Sequence, residues 1–218
     1  MAIALRPGDV GNAGPLSKMR RYRAPVHGRR EKIVGGYMIN LIDSAISITT
    51  LIWLFPIAFM LHDFEEIIWI EPWFQKNYSK IKHRIPRPFQ KKIGELSKMT
   101  SSQFAIAVLV EFILFIPFTF YAAESERYLF FLGFNLLLFL HVFMHLGQAV
   151  FTKMLTPGVV SGMMITLPYT MYLIYRLLND NIINWSDIFI SIPFGIILIP
   201  TVIFGHYIGK RIMPARNY

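Results

Sequence analysis

The sequence predicts an all-α integral membrane bundle of about five transmembrane spans, and three observations carry that prediction. Of its 218 residues, 54% are hydrophobic and only 16% charged, with a mean hydropathy of +0.45, whereas a soluble domain carries about a quarter charged residues. Apolar stretches of about 17–25 residues, enough to cross a bilayer at about 1.5 Å per residue, recur along the chain. The basic residues are unevenly placed: eight Lys/Arg fall within residues 1–37 against Asp9 and Glu31, and eight more within 76–98 against Glu95. These clusters abut hydrophobic spans and bring no nucleic-acid motif with them. They read as contacts with anionic lipid headgroups and as topology signals, so membrane lipids are expected partners and nucleic acid is not. No cysteine is present, which excludes disulfides, thiolate metal sites and a cysteine nucleophile.

Residues 1–37, rich in Gly, Pro and Arg without a hydrophobic period, read as a basic disordered arm. The transmembrane domain is expected over 38–218. Its first span runs from about Leu41 to Ile70 with a kink at Pro56. The basic loop that follows contains "RIPRPF", part of which suits an interfacial helix. The second span covers roughly Ser102–Ala122, the third Tyr128–Phe151, the fourth Val159–Leu178 and the fifth Ile188–Ile208. Trp73, Tyr78, Tyr128 and Trp185 sit where an interfacial aromatic belt would fall.

Loop charge orients the bundle. The 76–98 loop and the C-terminal "GKRIMPAR" are basic and expected in the cytoplasm, with the acidic "AAESER" and "NDNIINWSD" outside. The expected location is the bacterial plasma membrane. The basic arm disagrees, since five spans place it outside; a start at Met38, or a first span that does not fully cross, removes the conflict.

The chemistry begins at "LHDFEE", residues 61–66, which follows fifteen residues without a charge, "ISITTLIWLFPIAFM". At about 100° per residue, Glu65 lies about 60° to one side of His62 and Glu66 about 40° to the other, so the three share one arc, while Asp63 lies about 100° away. The third span contributes "HVFMHLGQ", in which His141 and His145 are an i,i+4 pair and Gln148 falls on the same stripe. The second contributes Glu111 and the fifth His206. Counted from the cytoplasmic end at about 1.5 Å per residue, His62 and Glu65 lie roughly 8–15 Å deep, Glu111 about 15 Å, His145 and His141 about 12–18 Å and His206 on the order of 6 Å. Three helices thus bring polar groups to one layer. Each charge at mid-membrane costs about 2.5–3.5 kcal/mol even on a lenient scale, and a divalent cation offsets that cost by pairing carboxylates with neutral imidazoles. Zinc or iron, as one or two ions, accepts such a mixed nitrogen and oxygen set.

Plainer readings exist for each group. A polar helix interface without metal accounts for "HDFEE" and "HVFMH". Glu111 alone can be a neutral packing acid, His206 a packing histidine, and Asp63 a headgroup-facing charge. The Pro-Gly turn of "TPGV" and the span after it read as scaffold.

The spacing of His62, Glu65 and Glu66 is similar to the inverted zinc-peptidase motif H-x-x-E-H, with Glu66 in place of the last histidine. By that analogy His62 and Glu66 ligate and Glu65 is the general base. "WLFPIAFMLHDFEE" resembles the start of the HXXEE domain family, small multi-span membrane proteins named for this motif, from about Met38 onward. The resemblance marks His62, Glu65 and Glu66 as signature residues and implies a metal-binding, enzymatic membrane protein.

The leading expectation is a metal-dependent membrane hydrolase acting on a lipid or other membrane-embedded substrate. His62, Glu66, His141 and His145 would hold one metal, or two with Glu111, and Glu65 would take a proton from bound water. Glu65, His206 and Gln148 are further possible ligands or supports. Three readings compete: a non-haem di-iron oxidoreductase, which lacks the usual Glu-x-x-His pairs; a metal-free glutamate protease; and a divalent-metal transporter, against which no inverted repeat is evident. Five helices can enclose a site alone or as a homo-oligomer.

Overall fold

The structure is a computed structural model that describes residue 39 and residues 41–213. The basic arm of residues 1–37 lies outside the described residues. Those from Asp43 onward cluster as one unit. The described chain is helical throughout, with no strand among the described residues.

Helix α1 (Ile48–Ile81) begins at an N-cap serine, Ser47, whose side chain accepts from the Thr50 N–H. It ends eleven residues beyond the Ile70 expected from hydropathy, because helical backbone continues through the amphiphilic segment to Ile81. Pro56 and Pro72 both lie inside it, each removing one i→i−4 hydrogen bond. Its buried stripe runs Leu51, Ile52, Phe55, Ala58, Phe59 and then, in the same helical period, His62, Asp63 and Glu66. The ionisable groups therefore sit on the face that packs inward.

Helix α2 (Arg87–Leu96) occupies the expected place in the basic loop, starts with proline in its first turn and buries none of its residues. Helix α3 (Ser101–Ser125) opens on a capping box between Thr100 and Gln103, and α4 (Leu129–Thr152) ends at Lys153 in the left-handed conformation. After the turn comes a short helix, α5 (Val159–Ser161), a π-helical turn (Gly162–Thr166) and α6 (Leu167–Asn179). Helices α7 (Trp185–Ile196) and α8 (Leu198–Ile212) follow almost continuously.

Among the described residues, three helical stretches are long and apolar enough to cross a membrane: Ser101–Ser125, Leu129–Thr152 and Trp185–Ile212. They cover the expected second, third and fifth spans. The first and fourth differ in kind. Charged groups interrupt α1, and the Val159–Asn179 stretch is divided by its π turn.

The principal contacts are α3 with α8, α4 with α7 and α1 with α3. Glycines permit the close crossings. A Cβ on Gly133 of α4 would lie 2.5 Å from the Ser191 carbonyl oxygen of α7, and one on Gly205 of α8 would meet Ala107 of α3 at 3.0 Å. Between α1, α3 and α4 an aromatic cluster fills the seam: Phe55 and Phe115 have ring centroids 4.9 Å apart, Phe59 and Phe115 4.7 Å, and Phe115 and Phe134 5.2 Å.

The end of α6 is tied to the start of α1 by Arg176. Its guanidinium donates to the Asp43 and Ile46 carbonyls, each at 3.2 Å, and pairs with Asp180 at 3.1 Å; the Tyr172 hydroxyl donates to Asp43 at 2.7 Å. Arg176 is buried. Arg176→Ala leaves these acceptors unmatched, so it is expected to destabilise the bundle by about 3 kcal/mol. Thermal unfolding in detergent would show this as a lower melting temperature without loss of the site described next.

Candidate metal centre

His62 is fully buried and Glu66 and His145 nearly so, while His141 is partly buried. Each presents one ligand atom, and these four atoms all lie within 4.8 Å of one another. The two helices supply complementary pairs: His62 and Glu66 one turn apart on α1, His141 and His145 one turn apart on α4. The i,i+4 spacing superposes the members of each pair along the helix.

His145 Nε2 lies 3.0 Å from Glu66 Oε1 and 2.7 Å from His141 Nε2. The His62 ring meets those of His141 and His145 edge to face, at 5.4 and 5.2 Å. His62 Nε2 is buried and has no hydrogen-bond partner, whereas its Nδ1 lies 3.1 Å from Ser161 Oγ. An orphaned imidazole nitrogen beside two Nε2 atoms and a carboxylate fits a cation. It does not fit a closed hydrogen-bond network, in which that nitrogen would carry a desolvation cost. Three imidazoles and one carboxylate suit zinc or another borderline divalent ion.

The remaining sequence-predicted residues take other places. Glu65 points its Oε2 at Ser161, accepting from the backbone N–H at 2.6 Å and from the hydroxyl. Asp63 and Glu111 interact electrostatically with each other, and each does so with Glu66. Neither belongs to the four-residue cluster. Asp63 Oδ2 is buried without a partner. His206 lies beside Phe104 with the rings tilted and their centroids 5.7 Å apart, and it interacts electrostatically with Glu66. Gln148 is exposed and is not one of the four clustered residues.

Two residues of the site escape a reading by spacing. Gly158, with φ of 84°, closes the turn after α4 directly over the ligands: a Cβ there would lie 2.6 Å from His145 Cε1 and 2.8 Å from Glu66 Oε1. Ser161 links Glu65 to His62. Both belong to "TPGVVSG", where a proline-glycine turn and one serine in an apolar span are the sole signals. The turn is held from α1 and from the turn after it: the Trp73 indole donates to the Leu155 carbonyl at 2.7 Å, and Arg84 donates to the Thr152 carbonyl. A cleft of about 760 Å³ lies elsewhere, bordered by Ile48, Arg127, Leu132 and Asp187. Donor chemistry, not cavity size, locates the candidate site.

Fold and site together define a helical protein with membrane-compatible spans and an internal His/Glu cluster able to hold a metal. The chain belongs to the family described as "Protein of unknown function with HXXEE motif", whose model matches residues 53–173. That stretch contains all four clustered side chains, Glu65 and Ser161, but not His206. The chain is also 30% identical over 166 residues to the uncharacterized protein YrkK of Bacillus subtilis (strain 168), covering 73% of this chain and 96% of that protein. No solved structure matches the chain.

Proposed function

We propose that the protein is a metal-dependent membrane hydrolase with a single divalent ion held by His62, Glu66, His141 and His145. The observation that carries this reading is the convergence of four ligand atoms within 4.8 Å on two buried helix faces. We place α1 and the Val159–Asn179 stretch beside the three apolar helices as the remaining spans. The basic 76–98 loop and the C-terminus are then cytoplasmic, and the ligands lie in the cytoplasmic half of the bilayer.

A divalent ion at such ligands supplies Lewis acidity and a water of lowered pKa. The chain does the rest. His62, His141 and His145 would hold the ion through ring nitrogens and Glu66 through a carboxylate oxygen. The Phe55–Phe59–Phe115 cluster one turn away excludes water from the outer side. Glu65 is engaged with Ser161. A buried location suits a lipid or a membrane-embedded bond as substrate.

A second reading rests on one observation. Asp63 and Glu111 adjoin Glu66, so carboxylates are at hand for a second ion, as a di-iron oxidoreductase requires. Metal analysis separates the two: about one zinc per chain supports hydrolysis, and two irons support oxidation. For the hydrolase, purified protein is expected to cleave one class in a panel of lipid esters and membrane-peptide substrates. Chelation should abolish turnover and zinc restore it. A zinc-loaded, folded sample inert to both classes would contradict this reading.

A further inference from the structure

The glutamate in the middle of H-x-x-E-E does not reach into the ligand cluster, and its partner explains what it does instead. Ser161 is buried, and its Oγ lies 3.1 Å from His62 Nδ1 while donating to Glu65 Oε2 and, more weakly at 3.4 Å, facing the His62 carbonyl. Its backbone N–H donates to the same Glu65 oxygen at 2.6 Å.

The direction of the chain follows from what each group can offer. A carboxylate only accepts, so the serine hydroxyl gives its proton to Glu65. The serine oxygen is then left as an acceptor, and the group that fills it is an N–H on His62 Nδ1. With the proton fixed on Nδ1, Nε2 carries a lone pair, and Nε2 is the atom that stands buried without a partner. Histidines that bind metals are commonly fixed in this way by a carboxylate behind the ring. Here a serine is interposed: Glu65 Oε2 is held by the Ser161 backbone N–H and hydroxyl, and the Ser161 oxygen faces His62 Nδ1.

We infer that Glu65 and Ser161 form a positioning relay that locks His62 into the tautomer with Nε2 free to bind metal. Glu65 is thus a positioning residue rather than the proton acceptor its spacing suggests. The relay also ties the two halves of the site together. Ser161 is the third residue after the Gly158 turn, where the N–H groups of a starting helix lack partners. Glu65 satisfies one of them and so anchors the segment carrying Gly158 against the ligands. The inference rests on the metal reading for its purpose, but the tautomer is a property of the metal-free protein.

The test uses the full chain in detergent, with two readouts. Nitrogen NMR of histidine-labelled, metal-free protein reports the His62 tautomer, and chelator competition reports zinc affinity. In the wild type His62 is expected to carry its proton on Nδ1 alone. Ser161→Ala should give a mixture of tautomers and a fall in zinc affinity of about 10–100-fold. Glu65→Ala should match it, the double variant should lose no more than either, and Ser161→Thr should restore both readouts. Ser161→Ala with wild-type tautomer and affinity overturns the relay, even if its melting temperature falls, since Glu65 then only caps a helix. A wild type that binds no zinc removes the proposed function instead, and the NMR readout still decides the relay.

Discussion

His145→Ala is expected to bind zinc so weakly that the purified protein retains only a small fraction of an ion where the wild type holds about one. No other ligand occupies as central a place: His145 Nε2 is within 3.0 Å of Glu66 Oε1 and within 2.7 Å of His141 Nε2. Its loss breaks the α4 pair and leaves Glu66 buried without its imidazole. A buried carboxylate deprived of its partner is costly, so the variant should also be less stable, by about 3 kcal/mol. Zinc content after gel filtration and the melting temperature check the two effects separately. In the metal-bound wild type a chelator should lower the melting temperature; in His145→Ala it should change nothing, because ion binding no longer contributes to stability.

The second large effect is expected from Gly158→Ala. A φ of 84° is itself unfavourable for alanine, costing about 1–3 kcal/mol. The added Cβ would also collide with His145 Cε1 at 2.6 Å and Glu66 Oε1 at 2.8 Å. Those atoms belong to buried ligands, so relief requires the turn to lift away or the ligands to part. The variant should therefore lose zinc affinity by at least tenfold while its helical circular dichroism is kept. Gly147→Ala, eleven residues earlier within α4 and with nothing within 4 Å of the added carbon, serves as the control and should bind zinc as the wild type does.

The sequence made the site legible where helical periodicity carries the information. His62 with Glu66 and His141 with His145 are intrahelical pairs, and a common depth was enough to bring the two helices together. Depth alone was too coarse for Glu111 and His206. Glu111 lies in that layer and His206 nearer the surface, yet a helix rotated by a few tens of degrees turns a side chain past a ligand sphere only a few ångströms wide. Periodicity also has no means to find Ser161 or Gly158, whose roles depend on a turn that returns the chain over the cluster. Glu65 shows the limit most clearly. Its place on the arc beside His62 was right, but the serine it holds lies ninety-six residues further on.

The fold shows the same division. The apolar runs delimit α3 and α4 closely. The end of α1 was missed because hydropathy marks where apolar residues stop, not where helix stops. Asn77 and Ile81 are buried well past Ile70, on the same face as the ligands. The π turn at Gly162–Thr166 leaves no periodic trace in five residues. It nonetheless follows directly on Ser161, and a widened turn at that point changes the phase of every later side chain in the segment.

The proposed metal centre is tested most directly by the X-ray absorption spectrum of the metal in wild-type protein, purified without an affinity-metal step and quantified by plasma mass spectrometry. About one ion per chain is expected, with a first shell of nitrogen and oxygen, multiple-scattering features of about three imidazoles, and loss of the signal in His62→Ala and His145→Ala. A well-folded wild type without metal, or an ion whose spectrum lacks imidazole and persists in both variants, would contradict it.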